Sequence, residues 1–413
     1  YAGDDEGLVS CDFSYPDVTE PVGSIMTQTS QPGGVRVPGH PQWETGTHQK
    51  EEEFTRSVAL ALFDYLRKSH SKGFVISLSG GADSSAVAVL VHLAFQFGGR
   101  EIGLRQLMSK LRPDGRVSDV LEDIVRRFEA TDFRQALIEI IPSRLTCVYQ
   151  STRNSSAETL TAAREVARAV GAKFREWNID AMVDQYVDTV SSAIDRDLQW
   201  ESHDVALQNI QARARGPGIW LLANLRNALL LTTSNRSEAA AGYATMDGDT
   251  CGGLAPLAGI DKAFLLDWLK WMETTGPAGV GPLPALSVVN RLRPTAELRP
   301  PAAAQTDEAD LMPYRVLDAI ERAAIRDKLM PVEVFQAILP SFPQYAPEQM
   351  AEWVERFFRL WCRNQWKRER YAPSFHLDDE NLDPKTWCRF PILNSGFERE
   401  LDELRAYVRT LQS

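Results

Sequence analysis

The sequence predicts an α/β protein, a doubly wound parallel sheet with a helical C-terminal extension. Three stretches predict it. Phe74 to Leu90, FVISLSGGADSSAVAVL, passes from an apolar strand through a glycine pair into an apolar helix. Leu145 to Ile179 reads as strand, amphipathic helix and strand, a βαβ unit whose strands run parallel. Ala228 to Leu231 is a further short apolar strand, followed by hydroxyls and an alanine-rich helix. In such sheets ligands bind beyond the carboxyl ends of the strands.

Composition narrows the function. A chain of 413 residues can bury one large domain with appendages. With 44% hydrophobic and 24% charged residues it has the make-up of a soluble globular protein. The net charge of −11 argues against a nucleic-acid surface, because neutralising phosphates needs clustered Lys and Arg. No apolar run reaches membrane-spanning length, and no signal peptide opens the chain, whose first residue is Tyr. The five cysteines are scattered without a CxxC pair, so neither zinc nor a disulfide framework is suggested, and a reducing, cytoplasmic setting is expected.

In chain order, residues 1–49 are rich in Pro and Gly among polar residues and read as a linker. Glu51 to His70 places acids first and bases last around an apolar stripe, which suits a helix dipole. The loop Ser79-Gly80-Gly81-Ala82-Asp83-Ser84-Ser85 follows. Its glycines let backbone approach a ligand, and the unpaired N–H groups at the new helix attract anions. No GxxxxGK[ST] is present, so this is not the loop whose lysine grips a γ-phosphate. An acid at Asp83, where an anion should sit, makes sense if it holds Mg²⁺ that in turn holds phosphates. Residues 98–142 read as helical pieces without a motif. After the strand at Leu145, a capping box from Ser155 to Glu158 opens a helix with Leu160, Ala163, Val166, Ala167 and Val170 on its apolar face.

His203 to Gly216 carries Asn209, Gln211, Arg213 and Arg215 on alternating positions near an expected helix start. They form either a solvated charged face or a grip on a second anionic substrate. After Leu231 come Thr232, Thr233 and Ser234, then Glu238, which either complements its helix dipole or supplies a second carboxylate for Mg²⁺. A glycine-rich loop with Asp247 and Asp249 leads to Lys262. Gly276 to Arg293, rich in Gly and Pro, reads as a mobile loop over the site. From Tyr314 onward the pattern is helical, with Trp353, Phe357, Phe358, Leu360 and Trp361 as core, and 393–413 as a terminal helix.

The SGGADS stretch resembles the SGGxDS loop of the N-type ATP pyrophosphatases, which cleave ATP between the α- and β-phosphates and adenylate an oxygen of their substrate. The rest of the chain narrows the resemblance. NSSAET at Asn154, VALQN and QARAR, TSNRSE…GY…GD…GGLAP…K, PTAELRP at Pro294, QTDEADLMPY at Gln305 and KRERYAPSFH at Lys367 occur in the order found in the synthetase part of glutamine-dependent NAD⁺ synthetase. The match spans about Glu51 to Ile392. GMP and asparagine synthetases, which share the ATP loop, are not expected to show PTAELRP with QTDE, and the acidic balance disfavours tRNA-modifying relatives.

The resemblance implies the adenine nucleotide alpha hydrolase-like form of the sheet, with a synthetase domain over residues 50–392 whose sheet core is about 50–275. It implies ATP-dependent amidation of nicotinic acid adenine dinucleotide by ammonia, with homo-oligomers usual in the family. By motif position Ser79, Gly80, Gly81, Ser84 and Ser85 cradle pyrophosphate. Asp83 and Glu238 hold Mg²⁺; Thr233, Lys262 and Thr295 bind ATP; Asn209, Arg213 and Lys367 bind the dinucleotide. Asp83 and Lys262 carry the catalysis, as electrostatic stabilisers of charge developing on phosphate. Met246 stands where ammonia-dependent members carry lysine, GGLAP replaces an acidic ADLxP, and Ala263 replaces a common threonine. The family's amidase domain, with its Glu-Lys-Cys triad, has no counterpart in this sequence. It is expected upstream, with residues 1–49 as its remnant or linker, or in another chain. A degenerate member that only senses ATP or dinucleotide is the alternative, and the intact Asp83, Glu238 and Lys262 argue against it.

Overall fold

The computed structural model describes residues 42–111, 119–128, 132–292, 297–299 and 307–412. The chain divides near residue 49. Of the first unit only a short 3₁₀ turn, Gln42–Thr45, and the residues after it are described. The second unit, residues 50–413, carries the sheet and its helices.

Among the described residues four parallel strands form the sheet: β1 (Phe74–Ser77), β2 (Leu145–Ser151), β3 (Lys173–Asn178) and β4 (Leu229–Leu231). Their order is β3-β2-β1-β4, with Phe74 opposite both Leu145 and Leu229. The chain first builds outward from β1 through β2 to β3, then returns to lay β4 on the other side of β1. The strand order therefore reverses between β1 and β4, the place beyond whose carboxyl ends ligands bind in open α/β sheets. Helices cover both faces, because alternate residues of β1 point opposite ways. Phe74 and Ile76 enter the main core, while Val75 joins Leu230, Ile219 and Ala223 in a smaller one. The doubly wound class read from the sequence is the fold observed.

The helices up to β4 are α1 (Gln49–Lys68), α2 (Ala82–Ile102), α3 (Leu104–Lys110), α4 (Asp119–Phe128), α5 (Phe133–Ile140), α6 (Ala157–Ala169), α7 (Asp180–Ala193) and α8 (Trp200–Arg226). After β4 come α9 (Arg236–Ala241), α10 (Lys262–Thr274), α11 (Ser287–Asn290), α12 (Asp307–Asp310), α13 (Tyr314–Glu321), α14 (Pro331–Ile338), α15 (Pro347–Arg363), α16 (Gln365–Arg368) and α17 (Glu398–Gln412). The cap of α6 is Ser156, whose hydroxyl accepts from the Thr159 N–H, one residue later than the capping box predicts. On α10, Trp268 is fully buried, donates its Nε1–H to Thr55 at 2.8 Å, and meets Phe54 edge-on at 5.3 Å.

Helix α8 is kinked at His203 (φ −128°, ψ 21°), so a helical segment begins there as expected, carries Asn209 to Arg215 in its first turns and continues through Pro217. One element differs from expectation. The stretch from Gly276, expected to be a mobile loop, is built into the core as far as Leu292. Gly276, at φ +67°, turns the chain out of α10, and α11 and the turn before it bury Leu286 and Val289. Glycine and proline here make turns, and the apolar residues between them anchor the segment.

The C-terminal helices have their own core. Leu317, Val334, Phe335, Val354, Phe357 and Trp361 fill it, and α17 adds Leu401, Leu404 and Val408. The spacing of those last three is that of one helical face.

Candidate active site

The turn after β1 is built from within. Gly80 sits at φ +82°, and a Cβ there would lie 2.0 Å from the carbonyl oxygen of Thr159 on α6. Only glycine allows both that dihedral and that approach. Ser79 and Ser84 face each other with hydroxyls 3.0 Å apart, and each also bonds loop backbone, Ser79 Oγ accepting from Gly81 N–H and Ser84 Oγ from Ser79 N–H. Ser85 is fully buried on the inner face of α2. The hydroxyls thus hold the turn's shape, with Ser79 exposed, Gly81 half-buried and Gly80 buried against α6.

Asp83 opens α2 and turns toward the end of β4. One carboxylate oxygen pairs with Lys262 Nζ, and the other accepts from Asn235 Nδ2 at 2.9 Å. Asn235 is fully buried and works in both directions, because its Oδ1 accepts from the Glu238 N–H at 2.9 Å and so caps α9. A single amide side chain therefore links Asp83 to the helix that carries Glu238. Lys262 is 2% exposed at the start of α10; its N–H donates to Ser237 Oγ, and its ammonium lies 5.8 Å from the Tyr314 ring centre. Thr233 follows β4, half-buried at the same edge. Thr295 lies outside the described residues.

Asn209, Arg213 and Lys367 converge on the loop between α9 and α10. Asn209 Oδ1 accepts from Thr245 at 2.8 Å, Arg213 Nε donates to the Met246 carbonyl at 3.0 Å, and Lys367 Nζ donates to the Gly242 and Ala244 carbonyls at 2.6 and 2.8 Å. Burial holds the Lys367 ammonium below its ordinary pKa, against the pull of Asp249. Met246 is itself buried, which leaves its loop to present backbone and the two acids Asp247 and Asp249.

The structure adds two groups that the motifs do not reveal. Glu297 of PTAELRP, at φ +47°, accepts from the Ser156 hydroxyl at 2.7 Å and from Thr159 Oγ1 at 2.9 Å. It thereby fixes the turn of α6 that Gly80 approaches. Behind Lys262 lies a buried ionic cluster. Arg236, 1% exposed, meets Glu321 and Glu380 at 2.8 Å, Asp378 at 2.9 Å and Asp261 at 3.4 Å. Its partners are scattered along the chain, so no local spacing announces the cluster.

One guanidinium cannot keep all these acids ionised. Burial pushes Glu321 up to about 8; Arg236 opposes the shift, while Glu380, Asp261 and Asp378 add to it. Burial, then Asp261 and Glu321, raise Asp318, against the hydrogen bond from Ser237. The folded state thus holds protons that the unfolded chain releases above its ordinary glutamate value of 4.5, so stability falls as pH rises from 4.5 to about 8. Melting curves across that window should show a falling Tm, with a shallower slope for Glu321→Gln. An unchanged slope would place the bound protons elsewhere.

Among the described residues no group of three His, Cys, Asp or Glu forms a metal cage. Asp83, bonded to Asn235, and Glu238, on the helix that Asn235 caps, offer two hard oxygen donors. A donor set of that size fits Mg²⁺, which takes one or two carboxylates and fills its remaining positions with phosphate and water. It does not fit a cation that needs an all-protein site.

The sequence profile described as NAD synthase matches residues 54–369. The glutamine-dependent NAD(+) synthetases of Homo sapiens and Dictyostelium discoideum are 30% and 29% identical over 82% and 87% of this chain, and over 48% and 51% of their own lengths. The chain thus spans about half the length of the curated relatives it matches. The crystal structure of a glutamine-dependent NAD(+) synthetase from Cytophaga hutchinsonii is 46% identical, with TM-score 0.73, over 86% of this chain and 56% of that one. NMN synthetase from Francisella tularensis, 19% identical with TM-score 0.52 over 79% of this chain and 99% of its own, shares the fold.

Proposed function

The chain belongs to the NAD synthase family, and we propose that it makes NAD⁺ by ATP-dependent amidation of nicotinic acid adenine dinucleotide. The meeting of Asp83, Lys262 and the Asn235-capped helix of Glu238 where the strand order reverses carries this reading.

A nicotinate carboxylate resists ammonia, because oxide or hydroxide would have to leave. Its oxygen instead attacks the α-phosphorus of ATP, pyrophosphate departs, and the acyl-adenylate forms. Ammonia then attacks the acyl carbon, AMP leaves, and the nitrogen sheds a proton to give the amide. Negative charge grows on phosphate oxygens in the first step, so fixed positive groups and backbone donors supply most of the acceleration. The glycine turn offers N–H groups to the departing pyrophosphate. Lys262, held in place by Asp83, Ser237 and Tyr314, puts its charge beside them without having to move. Asp83 and Glu238 would hold Mg²⁺, which neutralises phosphate charge when bound. Asn209, Arg213 and Lys367 flank the loop on which the dinucleotide would rest. The nitrogen arrives as free ammonia or from an amidase region, in a longer protein or another chain.

The test combines the purified chain with ATP, Mg²⁺ and nicotinic acid adenine dinucleotide, with ammonium or glutamine as donor. NAD⁺ formed with ammonium supports the synthetase reading. NAD⁺ from neither donor, with ATP still bound, replaces it with a nucleotide sensor. In an active preparation Lys262→Met should lower turnover by about 10²–10³-fold while the folded spectrum is kept. A change of less than about threefold would remove Lys262 from the chemistry.

A further inference from the structure

Helix α9 has only six residues, too few to be stable alone, yet it carries Glu238. Its first turn is tied by Asn235. Its last carbonyls, which no helical N–H can reach, are taken up by side chains from the junction of α15 and α16. Asn364 Nδ2 donates to the Ala241 oxygen at 2.8 Å. Arg368 Nη1 donates to the oxygens of Ala239 and Ala240 at 3.2 and 2.9 Å, and Lys367 takes the carbonyls of Gly242 and Ala244 just beyond. Gly242 ends the helix at φ +65° and lies so close that a Cβ would stand 2.2 Å from Asn364 Cβ.

Arg368 is the unusual member. It is 2% exposed, stacks 3.7 Å over Trp361, and bonds to Gln365 Oε1 and the Trp361 carbonyl; among the described residues no carboxylate pairs with it. Burial pulls its pKa down to about 10. A cation buried without a counter-ion is costly, and this one is spent on the negative end of a single short helix. A merely structural anchor for the C-terminal helices needs no charge there.

We propose that Arg368, with Asn364, is a positioning residue for Glu238: it locks the far end of α9 so that the carboxylate at its near end is presented in one place. The proposal rests on Glu238 being a metal carboxylate, and the test separates the two ideas. Mn²⁺ would be titrated into the chain with a non-hydrolysable ATP analogue, and the free ion followed by its paramagnetic resonance signal. Arg368→Met should weaken Mn²⁺ binding by about tenfold, the scale seen when groups supporting metal ligands are removed. Binding of the analogue without metal should change less than about twofold. Arg368→Lys, which can still donate to the carbonyls, should recover most of the loss. If Arg368→Met binds Mn²⁺ like the parent and only melts earlier, the proposal fails. Should that variant not fold, Asn364→Ala decides, because a weakening of about threefold supports the proposal and parental binding overturns it. Glu238→Gln is the control. Parental Mn²⁺ binding there removes Glu238 from the metal, and the positioning role falls with it.

Discussion

Replacing Arg236 with methionine should cost about 3–5 kcal/mol of stability, the range found when one partner of a buried ion pair is removed. Arg236 is 1% exposed and contacts Glu321, Glu380, Asp378 and Asp261, besides donating to the Gly259 carbonyl at 3.0 Å. Without it Glu321, Glu380 and Asp261 face one another in a site from which water is largely excluded, with Asp378 at its exposed rim. The loss should appear in urea unfolding, and it should loosen the C-terminal helices first, because Glu321, Asp378 and Glu380 tie them to the end of β4. Arg236→Lys should not rescue it, since one ammonium cannot reach carboxylates spread around a planar guanidinium. A loss below about 1 kcal/mol would mean that the acids are already protonated or hydrated enough to stand alone.

The Gly80→Ala variant should lose about 2–5 kcal/mol and most of its nucleotide affinity. The left-handed dihedral disfavours a side chain, and the added methyl would overlap a carbonyl of α6, which is backbone and cannot rotate away. Relieving that overlap moves the turn whose N–H groups would face the phosphates in the proposed reaction. Gly81→Ala is the internal comparison. Gly81 has an ordinary φ of −79°, and its Cβ would meet only Ser79 Oγ, at 3.3 Å, so the variant should fold normally. Equal melting temperatures and equal ATP affinity for the two variants would show that the turn is not held rigidly against α6.

What is legible in the sequence depends on how local each cause is. The strand-to-helix turn at Ser79 to Ser85 and the βαβ unit declare themselves because glycine dihedrals, capping hydroxyls and apolar runs act over a few residues. Alternation at Asn209, Gln211, Arg213 and Arg215 suggests one polar row. On a helix, however, Asn209 and Arg213 share a face that holds the 245–246 loop, while Gln211 is turned inward to donate to the Leu298 carbonyl at 2.8 Å. The glycines and prolines after Gly276 point to a free loop, but the buried Leu286 and Val289 decide its fate. Asn235 is inconspicuous inside TSNRSE because a cap looks the same whether or not its other atom holds an aspartate far away in sequence. Arg236 and its acids are illegible for the same reason, since burial and long-range pairing leave no spacing to read.

The sheet order has a consequence for the growing or shortened chain. β1 lies inside the sheet, yet β4, one of its two neighbours, is the last in sequence of the described strands. Until Leu229 to Leu231 are in place, Phe74 to Ile76 offer an open row of backbone donors and acceptors on a wholly apolar strand, with no charge, proline or bulge to discourage a foreign partner. A fragment ending before residue 229 therefore keeps the most adhesive edge of the fold exposed, and a nascent chain must shield it until β4 emerges.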